Sequence, residues 1–320
     1  MAYISFVKNR KKIVNRFPKC DYTLNEALGS FDTQQEEAER ISRQFVEMYK
    51  EGLETQKTTA NIGGEEIRLL LSIEKTRNLV KKTEANIQPF GDKHNDGSVT
   101  LEYLCIKLYI SQFDIKALTE EELTKKITSV VSHELLHGNI FSKRIASKQN
   151  IGAPDWYEGI INIIDTAQND EVYNFAYAIY ACYYEEKQAI ISSTYTQLLE
   201  KYPENRLNLI ANKVKKMNND EEIYNYLLKL FKIDLVNNEN FQTYSYLKDF
   251  CKDLSSNNNP ALIFLIHNIF AKEGLELDVK ETAEQLSIIA TNALKDVNRN
   301  ASLFFHNFLL SRFLNEKKNK

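Results

Sequence analysis

The sequence is poor in the features that would tie it to a membrane, to nucleic acid or to an oxidising compartment. Only four cysteines occur in 320 residues, Cys20, Cys105, Cys182 and Cys251, and no two of them form a Cys-x-x-Cys pair. That spacing argues against a disulfide framework and reads as buried thiols in a reducing compartment. No run of about 18 apolar residues appears, so no segment is expected to span a bilayer. Behind Met1–Val7 come Lys8, Arg10, Lys11 and Lys12, without the apolar core or small-residue cleavage site of a signal peptide, so a cytoplasmic location is expected. An excess of one charge is missing too. A net charge of −3 and a pI near 6.1 give no general reason to expect nucleic acid or an anionic membrane as partner. Internal repeats and low-complexity tracts are absent.

What is present is the composition of a soluble globular protein, 43% hydrophobic and 27% charged. The chain is long enough to bury a sizeable core without a metal, as one large domain or two of ordinary size. The basic run from Lys8 to Lys19, interleaved with Ile13, Val14 and Phe17, reads as a solvated helix face, with an arm for an acidic partner as the alternative. From about Thr33 to Lys57, Ala38, Ile41, Phe45, Val46 and Tyr49 recur at helical spacing and predict an amphipathic helix. Gly63-Gly64 between Thr58–Ile62 and Glu66–Ile73 predicts a hairpin. Gln88–Ser98, rich in turn formers, reads as a linker, and Val99–Ile110 as a strand. From there on the pattern is helical, with one helix from Pro154-Asp155, a long one from Asn169-Asp170 to about Leu199, and further helical periods to Asn315. Strands are therefore confined to the first part, and the expected class is α+β with a mainly α-helical C-terminal half. The expected division is a basic arm over 1–32, an α+β domain over 33–202 and a helical domain over 203–320.

One stretch carries chemistry. Ser132-His133-Glu134-Leu135-Leu136-His137 holds the pattern His-Glu-x-x-His, inside a segment whose Leu123, Ile127, Val130 and Leu136 have helical spacing. At i and i+4, His133 and His137 leave one helix face a turn apart and can reach a single ion about 2.0–2.1 Å from each ring. Glu134 lies beside that face, near enough to take a proton from a water that zinc has acidified toward pKa ~7. The bland alternative is a pair of ordinary histidines on an ordinary helix.

A hairpin-containing sheet, a strand, this helix and a downstream helical region resemble the zincin metallopeptidases, over about Glu65–Glu200. The resemblance implies a zinc ion, a peptide or protein substrate, and a strand that pairs with extended substrate, for which Val99–Ile110 is the candidate by order. It also implies a third protein ligand. Ile140 and Lys143 stand where the metzincin branch has Gly and His, which leaves the gluzincin pattern, with Glu from a later helix. Glu186, followed by the small Ala189, is the first choice. Glu185 is its neighbour and rival, and Glu158 is the alternative at the spacing of thermolysin-like enzymes, with Asn162 in the place of an acidic partner. Ile190 departs from the Asp that those enzymes carry after their ligand. Tyr177, Tyr180, Tyr183 and Tyr184 are candidates to stabilise an oxyanion, whereas His94, His267 and His306 read as structural or surface residues.

Two functions of different class follow. The first is a zinc-dependent peptidase in which His133, His137 and Glu186 bind the ion and Glu134 is general base. The second is a phage virion or assembly protein built on a zincin-like fold, with homo-oligomeric or virion partners and little or no catalysis.

Overall fold

The amphipathic segment forms α1 (Leu24–Glu51) in the computed structural model of the chain. The structure describes residues 24–62, 64–74, 83–94, 99–146, 155–167, 170–217, 219, 222–223, 225–227, 229–230, 239–254, 267 and 278–309. The basic run before α1 lies outside them. Ala38, Ile41, Phe45 and Val46 are buried as the spacing requires, but Met48 takes the inward position expected of Tyr49, which is 40% exposed. The helix ends before Lys57 because Gly52 adopts φ +70°, and the N–H groups of Gly52 and Leu53 turn back onto the carbonyls of Tyr49 (3.3 Å) and Met48 (2.9 Å). This closure favours glycine, which has no Cβ to clash.

The chain then enters the expected hairpin. Strands β1 (Thr55–Ile62) and β2 (Glu65–Ile73) pair antiparallel from Thr55↔Ser72 to Ile62↔Glu65. Ile67, Leu69 and Leu71 point into the core on alternate positions. The turn is closed by Gly64 at φ +93°, whose N–H donates to Asn61 Oδ1 at 3.1 Å.

Two expectations change in the rest of the sheet. The stretch read as a linker from Gln88 is mostly strand β3 (Glu84–Lys93), antiparallel to β4 (Val99–Tyr109). Pro89 and Gly91 look like turn formers, yet Pro89 is tolerated on an edge strand, and Gly91 sits at a register shift after Phe90. A Cβ at Gly91 would run into the backbone carbonyl oxygen of Thr100. The strand order is β1-β2-β4-β3, with β4 parallel to β2. Strand β4 is thus interior. Its ladders with β2 and β3 occupy both of its edges over Leu104–Leu108, so that part of the Val99–Ile110 strand has no edge for an incoming peptide, contrary to expectation. Among the described residues, the edge beyond β4 is β3.

Helices α2 (Gln112–Ala117) and α3 (Glu120–Ala146) follow. Asp114 of α2 clasps both neighbours, accepting hydrogen bonds from Thr83 N (3.0 Å), Thr83 Oγ1 (2.6 Å) and Lys126 Nζ of α3 (2.9 Å). The remaining described helices are α4 (Asp155–Thr166), α5 (Asp170–Tyr180), α6 (Tyr184–Lys201), α7 (Glu204–Val214), α8 (Glu239–Leu254) and α9 (Val279–Leu309). The fold class is α+β, with a small sheet near the N-terminus and helices after it.

The helix expected from Asn169 to about Leu199 is two helices. After Tyr180 the bonding tightens, with Cys182 N–H donating to Ile179 O (3.0 Å) and Tyr183 N–H to Tyr180 O (2.9 Å). The Tyr244 hydroxyl donates to the Ala181 carbonyl at 2.8 Å, so that oxygen is satisfied at the break.

The chain divides into two compact units. One comprises 22–151, 191–224 and 301–320, and its core gathers Ile41 and Phe45 of α1, Leu71 and Ile106 of the sheet, and Val131 and Leu135 of α3. The other comprises 1–21, 152–190 and 225–300. There α5 packs against α4 and α8, with the Phe175 and Phe250 rings 4.8 Å apart, and the buried Lys187 pairs with Asp296 of α9 at 3.2 Å.

Candidate metal centre

Helix α3 is built to start cleanly and to bury most of its circumference. Thr119 Oγ1 accepts the Glu122 N–H at 3.3 Å while Glu122 Oε2 accepts the Thr119 N–H at 2.8 Å, a reciprocal cap. The bond from the Thr119 backbone holds the Glu122 carboxyl below its ordinary range. Glu120, Glu121 and Glu122 oppose the positive end of the helix dipole. Ile127, Val131 and Leu135 are fully buried, and together they form the stripe that faces the core.

His133 lies on the opposite side of the helix from Val131 and Leu135, and His137 follows one turn later, rotated by only about 40°. The two Nε2 atoms stand 3.3 Å apart, with ring centroids 5.0 Å apart and ring planes at 66°. Two nitrogens bonded at about 2.0–2.1 Å to one tetrahedral ion would be separated by roughly 3.3–3.4 Å, so the rings already have the spacing such an ion demands. Glu186 completes the group. One ligand atom from each of His133, His137 and Glu186 lies within 4.8 Å of the others, and His137 and Glu186 are buried. It is the one group of three such side chains found among the described residues, and it could hold a metal ion.

Of the two rival carboxylates, Glu185 stands apart from it. Glu185 Oε1 receives the Tyr183 hydroxyl at 3.4 Å and is not a member of the group. The side chain of Glu158 lies outside the described residues, and Asn162 on the same helix is exposed. Because of the break before Tyr184, Glu186 belongs to the first turn of α6 and not to the middle of a long helix. Ile190, one turn after it, is buried. The thiols of Cys182 and Cys251 would be poor ligands for a metal ion, since both are buried and burial pushes them up to about 12. Cys20 lies outside the described residues.

Glu134 is next to His133 in sequence, about 60° round the helix from His137, and 8% exposed. It is thus at the border between the imidazole face and the sheet face, shielded from bulk water. Of the candidate oxyanion donors, Tyr177 stacks with Tyr173 and Tyr180, with centroids 6.0 Å apart in both pairs, and the Tyr184 side chain is outside the described residues. The exposed His94 ring lies 2.7 Å from Thr100 Oγ1. The side chain of His306 also falls outside, and His267 is an isolated described position.

One residue beyond the motif matters and has no local signal. A Cβ on Gly138 would meet Ile87 Cδ1 at 2.9 Å and Leu104 Cδ1 at 3.0 Å. The glycine therefore lets α3 settle onto β3 and β4 directly behind His137. Its neighbours across the sheet identify its role, and they are distant in sequence.

No helix among the described residues is long and apolar enough to cross a membrane. No protein family, curated protein or solved structure matches the chain.

Proposed function

We propose that the chain is a zinc-dependent peptidase of zincin type, with His133, His137 and Glu186 as ligands and Glu134 as general base. The observation that carries this reading is the convergence of two imidazole nitrogens 3.3 Å apart with a buried carboxylate. Two His and one Glu are a ligand set typical of catalytic zinc, and three protein ligands leave a fourth position open. When bound, zinc supplies a Lewis acid that polarises a carbonyl and lowers the pKa of water toward ~7. Glu134 takes the proton released by the attacking water and returns it to the departing amine. Its burial keeps that proton from bulk solvent. An extended peptide would add to the sheet along β3, the edge strand whose Ile87 lies under Gly138, next to the ligand His137.

The test is zinc content and cleavage of a peptide library by the wild-type chain and by Glu134→Gln. Wild type is expected to hold one zinc and cleave, and Glu134→Gln to keep the zinc while losing about 100- to 10,000-fold in rate. Equal cleavage by the variant would refute the general base. A zinc-loaded chain that cleaves nothing and assembles into a ring or particle would favour the structural role over the enzyme.

A further inference from the structure

Ser132, the residue before His133, is the hub of a buried polar ladder. Its hydroxyl lies 2.9 Å from Ser192 Oγ and 3.2 Å from Thr196 Oγ1, both on α6. Its carbonyl accepts from Gln34 Nε2 of α1 at 3.0 Å. Thr196 Oγ1 donates to Gln35 Oε1 at 2.6 Å, and the next residue on α6, Gln197, donates from Nε2 to Oγ of Ser129, three residues before Ser132 on α3, at 2.8 Å. Ser132, Ser192 and Thr196 are all buried. The same contacts show that α3 and α6 run antiparallel here, with Ser129 opposite Gln197 and Ser132 opposite Ser192 and Thr196.

Apolar packing would hold two helices together as firmly, since the net gain from a buried hydrogen bond is only about 1 kcal/mol. What hydrogen bonds add is direction, because a helix that slides or rolls breaks them whereas a greasy seam only adjusts. Glu186 sits six residues before Ser192 on α6, about 9 Å along the axis. A roll of about 10° would carry a carboxylate some ~6 Å from the axis through about 1 Å, well beyond the ~0.2 Å tolerance of a coordination bond.

We infer that Ser132, Ser192 and Thr196 are positioning residues that set the roll and height of α6 so that Glu186 meets the two histidines. The inference rests on the metal-centre reading. The ladder acts through α6 itself, the helix that carries both Thr196 and the ligand. Gln34 and Gln35 tie the same hub to α1 and keep α3 from turning in response.

The experiment is a zinc affinity titration on the full chain, with Zn2+ competed against a chromophoric chelator, alongside the melting temperature of each zinc-free variant. Thr196→Val and Ser192→Ala are each expected to weaken zinc about 10- to 100-fold. Thr196→Ser, which keeps the hydroxyl, is expected to stay near wild type. Thr194→Val is the control, because Thr194 is buried on the same helix with a hydroxyl that has no hydrogen-bond partner among the described residues, and its affinity is expected to be unchanged. Affinities of Thr196→Val and Ser192→Ala within about twofold of wild type, or an equal loss in Thr194→Val, would overturn the inference even if melting temperatures fall. Should Thr196→Val fail to fold by circular dichroism, Ser192→Ala and Thr196→Ser decide the matter in the same way. Wild type that binds zinc no better than His137→Ala removes the metal centre itself and this inference with it. Zinc that depends on His137 but not on the ladder removes the ladder alone.

Discussion

Asp114 illustrates how one side chain can hold the scaffold under the site. Burial alone would raise its carboxyl, but the hydrogen bonds from Lys126 and Thr83 outweigh it and hold the group below its ordinary range. A depressed carboxyl adds stability that is present above its unfolded pKa of ~3.9 and disappears as pH falls through the lower folded value. Asp114→Ala is therefore expected to cost about 1.5–3 kcal/mol at pH 7, the worth of hydrogen bonds to a charged group, and progressively less below pH ~4. Chemical denaturation of both proteins at pH 7 and pH 3 checks this, and a difference that grows toward pH 3 contradicts it. At the same level of detail the motif was legible without a fold. His133, Glu134 and His137 are fixed relative to each other by helix geometry over four residues, so their shared face needs no distant partner. Glu186 was less so. Choosing it over Glu185 depends on which side of α6 meets α3, and neither residue carries that information in its own neighbourhood.

Among the helices and strands, legibility followed the range of the forces involved. Helix α1 and the hairpin were readable because their apolar periods and the glycine turn at 64 act within a few residues, although the reading ran past the stop that Gly52 imposes on the helix. Strand β3 was hidden because Pro89 and Gly91, read locally, mark a turn, whereas an edge position and a bulge against Thr100 make both acceptable. The break between α5 and α6 was hidden as well, since Tyr244, which takes the Ala181 carbonyl, is 63 residues away. The contact of α3 with the sheet gives the prediction that belongs here. Gly138→Ala must push Ile87 and Leu104 aside, and the expected cost is about 1–3 kcal/mol of overpacking despite alanine's better helix propensity. A loss of zinc affinity should accompany it, because His137 rides on the displaced turn. Thermal unfolding and zinc titration of the variant read both, and a variant more stable than wild type would show that the sheet yields freely.

For the chain as a whole, under the proposed zinc reading, the question is how much such an ion would contribute to folding. The apolar core around Phe45, Leu71, Ile106 and Val131 is built without any ligand of the metal group. Chelation is therefore expected to loosen the chain without unfolding it. On that reading, free zinc at 100 times its dissociation constant would add about 2.7 kcal/mol, or roughly 4 °C in melting temperature for a chain of this length. Scans with and without a chelator measure the shift, and collapse of the helical signal on chelation would mean that the ion is structural.

Local spacing alone sufficed for the α+β class, the hairpin and the two imidazoles with their neighbouring acid, because each depends on contacts within a turn or a two-residue loop. The interior place of β4, the edge given to β3, the glycine behind His137 and the approach of Glu186 came from packing between segments far apart in the chain. Periodicity says which face of an element is apolar, but it does not say which other element will cover it.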